Sequence, residues 1–353
     1  MNRNKNLFHF IIATFYAPVL ALSFLGLAAP YISTSVFSWI QLIPNLFPIL
    51  ALFHLLAVLL FVKKFKLLSL LAFLALLGSS WVISKDLKMG PSEDLAPDAN
   101  QSLKVLSYNV GTFDFKAENI DTSSELLKSL EPDVITLQEF RNHKLADGSY
   151  AIDYMSRALG MPYHRFVHLP VHIHGAVIYS KYPIVDIDTL FMPRKEINSG
   201  ILTSIETPVG MVGVGNVHLS SFQIAQTYNE TDGFFDKLIA IFRRARMVVK
   251  LQNDKVDQIL SKTAKYPNPI IITGDMNATP HTRVNSLLSQ KMNDSFREGG
   301  SGIGWSYPLL NKMLGLRIDH QYASSEFEVL EHKIVREGVS DHYPVIVTYR
   351  IQP

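Results

Sequence analysis

The sequence predicts an α+β domain of two packed sheets flanked by helices, preceded by three transmembrane helices. No Asp, Glu, Lys or Arg occurs between Leu7 and Val62, whereas a water-soluble fold needs charged side chains on its surface. From Leu103 onward, short apolar segments alternate with amphipathic stretches and polar turns, as in a layered domain of sheets and helices. Residues 85–102 are rich in Pro, Ser, Asp and Asn, and this composition is typical of a linker.

The transmembrane region, residues 1–84, contains three apolar stretches, at about 7–29, 39–62 and 67–83. As helices rising 1.5 Å per residue, the first two are long enough to cross a hydrocarbon core of about 30 Å. The third is near the lower limit of about 17 residues, so a re-entrant hairpin is the alternative to a full crossing. Pro18, Pro44 and Pro48 lie within the first two stretches, where neighbouring helices can satisfy the backbone groups that proline leaves unpaired.

Basic residues set the expected orientation of these helices. They precede the first stretch or lie between the second and third: Arg3, Lys5, Lys63, Lys64 and Lys66. Because basic flanks stay in the cytoplasm, we expect a cytoplasmic N-terminus and a chain that leaves the membrane on the outer side after the third stretch. A cleavable signal peptide is the alternative for the first stretch, and it would leave this orientation unchanged. The sequence therefore predicts an integral protein of the cell or inner membrane, with residues 103–353 forming a periplasmic or extracellular domain.

The charges are divided unevenly along the chain. Residues 91–353 carry 26 Lys and Arg against 30 Asp and Glu, a net charge of −4. Polyanion-binding domains are usually basic, so this balance argues against a general nucleic-acid-binding surface, and we expect no stable nucleic-acid partner. The chain has no Cys, which fits an exported domain that uses no disulfides.

Eight strands and four helices are predicted in residues 103–353. The strands are Lys104–Val110, Asp133–Gln138, Gly175–Ser180, Ile201–Thr207, Met211–His218, Ile270–Gly274, Arg317–Ala323 and Pro344–Arg350. The helices are Ser123–Leu130, Tyr150–Leu159, Phe234–Leu260 and His281–Ser289.

The helix predicted at Phe234–Leu260 carries both apolar and basic residues in its first half. The favoured interpretation is a helix that packs on the core and exposes a solvated basic face. The alternative is an amphipathic surface that lies on anionic lipid headgroups.

Polar side chains recur where the apolar strands end. They are Asn109, Glu139, His218, Asp275, Asn277, Asp319, Asp341 and His342. Each alone is an ordinary turn or cap residue, but strand ends in a layered domain meet along one rim, where these groups could share a pocket. Carboxylates, amides and imidazoles together supply what phosphoryl transfer requires, namely oxygen ligands for Mg²⁺, a base for water and donors to the phosphate.

The order of motifs resembles one superfamily. YNV, LQE, GxxIYSKYPI, NVHL, GDMNATP, RID and SDHYP follow one another as in the endonuclease/exonuclease/phosphatase superfamily with the deoxyribonuclease-I-like fold. The resemblance covers roughly residues 103–350, and it implies a four-layer α/β/β/α sandwich that hydrolyses phosphate esters with a metal ion.

The resemblance also implies roles for individual residues, beginning with the metal site. Glu139 would be the principal ligand of Mg²⁺, for which Mn²⁺ could substitute. Asn109 and Asp341 would complete the metal site directly or through water. One departure from the family pattern is His320, which follows RID where the family usually has Tyr.

The remaining motif residues would act on the phosphate and on the attacking water. Asp275 would activate the water, and Asn277 would help to place it. His218 and His342 would donate to the phosphate oxygens, while Asp319 would fix the orientation of His342.

The hypothesis is a membrane-anchored phosphoesterase in contact with the lipid bilayer, acting on a lipid-linked or small phosphoester or pyrophosphate. One alternative is an exported nuclease acting on DNA or RNA, and another is a catalytically idle binding or sensor domain. The sequence does not predict the oligomeric state.

Overall fold

A computed structural model describes residues 2–89, 101–111, 117–168, 174–191 and 198–352. The chain divides into two compact units. The first consists of residues 1–86, 222–253 and 280–286, and the second consists of residues 87–221, 254–279 and 287–353. Most of the predicted linker, residues 90–100, lies outside the described residues.

The helices of the described chain are α1 (Asn2–Ala28), α2 (Thr34–Phe37), α3 (Phe47–Phe61), α4 (Lys66–Ile83), α5 (Ala117–Ser129), α6 (Ala151–Leu159), α7 (Ile224–Asn229), α8 (Phe234–Thr263), α9 (Arg283–Ser289) and α10 (Ser295–Gly299). The strands are β1 (Leu87–Lys88), β2 (Ser102–Asn109), β3 (Val134–Arg141), β4 (Tyr163–His168), β5 (His174–Ser180), β6 (Ile184–Phe191), β7 (Gly200–Thr207), β8 (Gly210–His218), β9 (Ile270–Asp275), β10 (Asn293–Asp294), β11 (Gly302–Ile303), β12 (Tyr307–Leu309), β13 (Leu314–Leu316), β14 (Asp319–Ala323), β15 (Phe327–Ile334) and β16 (Val345–Ile351).

Three helical segments of the first unit are long and apolar enough to cross a membrane: Ile11–Tyr31, Ser38–Phe61 and Lys66–Asp86. The second is not the single α-helix predicted, because Ser38–Leu46 is a 3₁₀ helix that contains Pro44. The α-helix begins only at Phe47, so Pro48 lies in its first turn, where its missing N–H breaks no intrahelical hydrogen bond. Prolines thus fix where the 3₁₀ segment gives way to α-helix.

Polar groups are buried together with apolar side chains inside this set of helices, and large apolar groups are exposed on the outside. His54 of α3 is fully buried. Its Nδ1 is 2.7 Å from the hydroxyl of Tyr16, and its Nε2 is 2.7 Å from Oγ of Ser23. Leu52 and Leu59 on the same helix are 63% and 65% exposed. This distribution is suited to a lipid environment.

The second unit contains two six-stranded sheets, ordered β15-β16-β2-β3-β5-β4 and β10-β14-β9-β8-β7-β6. Apolar side chains from both sheets, such as Val105, Ile178, Val214 and Ile271, form a buried core cluster. Helices α5 and α6 pack with β2, β3 and β5 in a second cluster. The part of α8 that belongs to this unit contacts the other sheet through Lys262, which donates to Asp188. Two mixed sheets flanked by helices confirm the predicted four-layer sandwich.

All eight predicted strands are present, with ends that shift by at most three residues. Three long strands were not predicted, namely β4, β6 and β15, and each lies at an edge of its sheet. Edge strands often carry polar and charged residues that discourage pairing with another chain, and in β6 four consecutive residues, Val185–Asp188, are exposed. Part of the predicted linker is also ordered, since β1 pairs with β11.

The four predicted helices are present as α5, α6, α8 and α9. The largest difference is at α5, which begins at Ala117 rather than Ser123. On α8 the favoured prediction of a core-packed helix holds only from Ala245 onward, because Phe234, Leu238 and Phe242 are 67%, 50% and 45% exposed.

Candidate active site

Three predicted catalytic residues lie side by side on the second sheet. Strands β8 and β9 are parallel and place His218 opposite Asp275. Strands β9 and β14 are antiparallel and place Asp275 opposite Asp319. Gly274 makes this close pairing possible, because its φ is +131° and a Cβ there would lie 1.9 Å from the carbonyl oxygen of Val217.

The first sheet supplies two further residues. Asn109 ends β2, and Glu139 lies in an irregularity of β3 between Leu137 and Phe140. The φ of Glu139 is +55°, in the left-handed region that non-glycine residues rarely adopt. A bulge of this kind redirects a side chain out of the regular alternation of the strand.

The amide of Asn109 joins the two sheets. Its Nδ2 lies 3.2 Å from Oε1 of Glu139 and 3.0 Å from Oδ2 of Asp275. Glu139 and Asp275 are therefore neighbours that share one donor, although they lie in different sheets and far apart in sequence.

Asp275 is fully enclosed and receives several hydrogen bonds. The backbone N–H of Asn277 donates to Oδ1 at 2.8 Å, and Nδ2 of Asn277 donates to Oδ2 at 3.0 Å. Burial raises the pKa of Asp275 to about 6, although His342 and His218 nearby act in the opposite direction. At neutral pH this carboxylate is ionised and is a stronger base than an ordinary Asp, as proton abstraction from water requires.

His342 and Asp319 form a buried pair. Nδ1 of His342 lies 2.8 Å from Oδ2 of Asp319, and its Nε2 lies 3.8 Å from Oδ2 of Asp275. Burial alone would lower the pKa of His342, but the charges of Asp319 and Asp275 outweigh it and raise the pKa to about 10. The pKa of Asp319 is lowered, because the attraction and hydrogen bond from His342 outweigh its burial. The raised pKa favours the imidazolium form of His342, whose Nε2 faces Oδ2 of Asp275 at 3.8 Å.

His218 is buried with both ring nitrogens lacking a hydrogen-bond partner among the described residues. Its Nε2 lies 3.5 Å from Oε1 of Glu139 and 3.7 Å from Oδ2 of Asp275. A buried imidazole that faces two carboxylates without bonding either is suited to donate to a group bound between them.

The predicted metal ligands lie in the same region. Glu139 keeps a third of its side chain exposed. A Cβ on Gly111 would lie 3.4 Å from Oδ1 of Asp341, and the N–H of Gly111 donates to Oδ1 of Asn109 at 3.0 Å. Carboxylate oxygens such as those of Glu139 and Asp341 are what a hard divalent cation prefers, and the role of these two residues as ligands stays a prediction. Asn109 turns its NH₂ group toward the carboxylates, so its role as a ligand stays a prediction.

A second group also has metal-ligand spacing. Single ligand atoms of Asp275, Asp319 and His342 lie within 4.8 Å of one another. Nδ1 of His342 and Oδ2 of Asp319 are already hydrogen-bonded to each other at 2.8 Å. This trio therefore fits a hydrogen-bonded acid–base set better than a metal site.

Tyr307 belongs to the site and was not predicted. Its ring centroid lies 4.8 Å from that of His342. Burial raises the pKa of Tyr307, as do the charges of Asp341 and Asp275 and a hydrogen bond to Asp341. It lies on the three-residue strand β12, which carries no motif and no periodicity. No sequence signal pointed to it.

Arg317 of the RID motif had no predicted role. It is fully buried and forms two 2.9 Å hydrogen bonds to Asp294. The departure from the family pattern is accommodated beside it, because Nε2 of His320 lies 3.0 Å from the carbonyl oxygen of Ala278. These buried groups hold β14, and with it Asp319, in place.

Comparisons with known proteins agree with this architecture. Residues 106–342 match the model of the Endonuclease/Exonuclease/phosphatase family. Members of that family are hydrolases of phosphodiester bonds and generally depend on a divalent metal. Comparison with curated proteins gives no match.

Several solved structures share the fold. An endonuclease/exonuclease/phosphatase from Beutenbergia cavernae is 17% identical, with a TM-score of 0.52 over 71% of this chain and 72% of that chain. TDP2 of D. rerio, solved with a single-strand DNA product, is 14% identical, with a TM-score of 0.52 over 70% and 99%. The human Nocturnin catalytic domain, solved with a sulfate anion, is 17% identical, with a TM-score of 0.51 over 71% and 94%. At these identities the likeness concerns the fold alone.

Proposed function

This chain belongs to the endonuclease/exonuclease/phosphatase family, and from that premise we propose that it is a membrane-anchored, Mg²⁺-dependent phosphoesterase. The observation that carries the proposal is the position of Asn109, whose amide contacts both Glu139 and Asp275. A metal-binding carboxylate and a buried base are thereby neighbours, which is the arrangement that activating a water molecule beside a phosphate requires.

The proposed reaction is in-line attack of water on phosphorus. The bond from the water oxygen to phosphorus forms while the P–O bond to the alcohol or phosphate leaving group breaks on the opposite side, and the leaving oxygen is protonated from solvent. Asp275, with its raised pKa, accepts the proton of the attacking water, and Asn277 holds this carboxylate in place. His342 and His218 donate to the phosphoryl oxygens as negative charge grows on them. Asp319 keeps His342 protonated and oriented. A divalent cation bound by Glu139 and Asp341 would neutralise further charge on the phosphate.

We propose a lipid-linked or small phosphoester or pyrophosphate as the substrate. The three long apolar helices support a position at the membrane, where lipid-linked substrates lie. The net charge of −4 on residues 91–353 gives no general attraction to polyanions.

The test is a hydrolysis screen of the full chain in detergent, with Mg²⁺, Mn²⁺ or a chelator. The substrates are phospholipids, polyprenyl pyrophosphates, sphingomyelin, nucleotides and DNA. We expect hydrolysis of a lipid-linked or small substrate that the chelator abolishes. Failure of every substrate in a folded protein would favour an idle binding domain instead.

A nuclease is the second candidate, favoured by the fold shared with TDP2, which was solved with a DNA product. The response of activity to salt concentration distinguishes a nuclease from the proposed phosphoesterase. Duplex binding weakens steeply as ionic strength rises, whereas turnover of a small phosphoester responds mildly. DNA cleavage with a steep salt dependence would replace the proposed function by this one.

We also propose that the N-terminus is cytoplasmic and that the second unit faces outward. The basic residues near the first and third helices support this orientation. A reporter fused after Pro353 tests it, and a cytoplasmic signal would reverse the proposed topology.

A further inference from the structure

The first half of α8 carries an exposed apolar stripe. Residues 234, 238, 242, 245, 249 and 252 lie on one face of the helix by their spacing of three to four. Ala245, Val249 and Gln252 are buried, whereas Phe234 and Phe242 on the same face are 67% and 45% exposed. A stripe that is buried along half of its length is thus open along the other half.

Neighbouring apolar residues widen this exposed face. Phe235 and Ile239, which directly follow the stripe residues Phe234 and Leu238, are 76% and 54% exposed. Ile224 and Tyr228 of the preceding helix α7 are 55% and 48% exposed, and Nζ of Lys237 on α8 lies 3.9 Å from the centre of the Tyr228 ring. Large apolar groups this concentrated on a protein surface mark an interaction site rather than scattered exposure.

A row of cations borders the stripe. Arg243, Arg246 and Lys250 are exposed and recur at three- and four-residue spacing along α8. Residues 234–253 carry five Lys and Arg against a single acid, a net charge of +4, in contrast to the net −4 of residues 91–353 as a whole. The stripe and its border therefore combine apolar and cationic chemistry on one helix.

Helix α7 and residues 234–253 belong to the same compact unit as the three long apolar helices. This unit exposes leucines on α3 and α4 in the same manner, as with Leu59 and Leu67 at 65% and 71%. Apolar surface bordered by Arg and Lys is the chemistry of helices that lie in the headgroup region of a bilayer.

We propose that α7 and the first half of α8 form an interfacial membrane-binding surface. Phe234, Phe235, Leu238, Ile239 and Phe242 enter the boundary between headgroups and acyl chains. Arg243, Arg246 and Lys250 contact anionic headgroups. The partner is the lipid surface itself, and the proposal is independent of the substrate.

Because the sequence contains no Cys, a spin label can be attached at a single chosen position of the whole chain. A nitroxide on Phe235→Cys, or on the control Gln258→Cys, reports collisions with oxygen, which concentrates in lipid, and with a water-soluble nickel complex. Gln258 is also exposed on α8 but lies beyond the stripe. The protein is reconstituted in phosphatidylcholine alone or with about 30% phosphatidylglycerol, which supplies the anionic surface potential.

We expect oxygen collisions to exceed nickel collisions at position 235, and the reverse at 258. At position 235, the excess of oxygen collisions over nickel collisions should be larger in membranes that contain phosphatidylglycerol. Arg243→Glu, Arg246→Glu and Lys250→Glu together should remove this dependence on phosphatidylglycerol, whereas Arg243→Lys with Arg246→Lys should preserve it. Frequent nickel collisions at 235 in both membranes would overturn the proposal in favour of a hydrated face. Protection from both reagents would overturn it in favour of a protein partner, such as a second copy of the chain.

Discussion

Buried polar groups occur in both units of the molecule, but their surroundings differ. Among the long apolar helices, the imidazole of His54 has a partner for each ring nitrogen, in Tyr16 and Ser23. At the strand ends of the second unit, His218 is equally buried and has a hydrogen-bond partner for neither nitrogen among the described residues.

The difference separates groups that hold a structure together from groups that are kept available for a ligand. A polar group that is fully satisfied by its neighbours stabilises the fold. A polar group that is buried and left unsatisfied costs free energy, and such a cost recurs at functional sites. Substitutions at the helices should therefore change stability, whereas substitutions at the strand ends should change activity.

The largest effect is expected at Asp275. Asp275→Asn removes the base and should lower kcat by at least about 10³-fold, a loss at the upper end of those for acid–base groups. The thermal midpoint should change little, because the buried charge is also removed. Steady-state hydrolysis and thermal unfolding measure the two quantities, with exposed Asp257→Asn as the matched control.

Glu139→Gln should have a comparable effect on activity and should also weaken metal binding. Metal titration of turnover measures this, with the exposed Glu326→Gln as control. Turnover close to wild type in both Asp275→Asn and Glu139→Gln would defeat the assignment of roles.

The next effect is expected at Asp319. Asp319→Asn should lower kcat by about 10²–10³-fold, the usual cost of losing one donor to a developing charge. Since Asp319 raises the pKa of His342, activity that needs the imidazolium should decline at a lower pH in the variant than in the wild type. A pH–rate profile checks the direction of the shift, and an unchanged alkaline limb would show that Asp319 does not act through His342.

A smaller effect concerns stability in acid. Burial lowers the pKa of His332 to about 3, below the unfolded value of about 6.5. The unfolded state therefore binds the proton first, and the free energy of unfolding should fall by about 1.4 kcal/mol for each pH unit below 6.5 until about pH 3. His332→Gln should make the loss shallower, which thermal unfolding between pH 7 and 4 can measure. Parallel curves for the two proteins would contradict this origin.

The smallest effect is expected among the helices. Ser23 and Ser80 both donate to a carbonyl four residues earlier, and Ser23 also contacts His54. Ser23→Ala should cost about 0.5–1 kcal/mol of stability in detergent, as polar contacts between membrane helices do. Ser80→Ala should cost less, and neither variant should alter kcat. A loss of activity in Ser23→Ala without a loss of stability would erase the distinction between the units.

The strands and the site residues were predicted best in segments where an apolar pattern and a motif coincide. Central strands such as β9 are continuous apolar runs that end in a candidate functional side chain. The sequence therefore indicates both where the strand lies and which residue at its end belongs to the site. The edge strand β6 exposes four consecutive residues, Val185–Asp188, and it lacks such a signal. The 3₁₀ segment before Phe47 contains Pro44 and ends just before Pro48, and hydropathy does not register such a local change of helix type.

The site was predictable as a set of residues but not as a geometry. Tyr307 reaches the site from a short strand without periodicity. The direction of the Asn109 amide depends on a hydrogen bond from Gly111, a contact that no motif encodes. The buried Arg317–Asp294 pair joins two segments whose charges look ordinary in the sequence.

His218, Asp275 and Asp319 lie opposite one another on three neighbouring strands, and this restricts changes in the length of those strands. Side chains alternate between the faces of a strand, so deletion of one residue within β9 would turn Asp275 to the opposite face of its sheet. Such a change would remove the base while leaving every motif residue in the chain. Relatives of this protein should therefore differ in length within their loops and keep β8, β9 and β14 free of insertions and deletions.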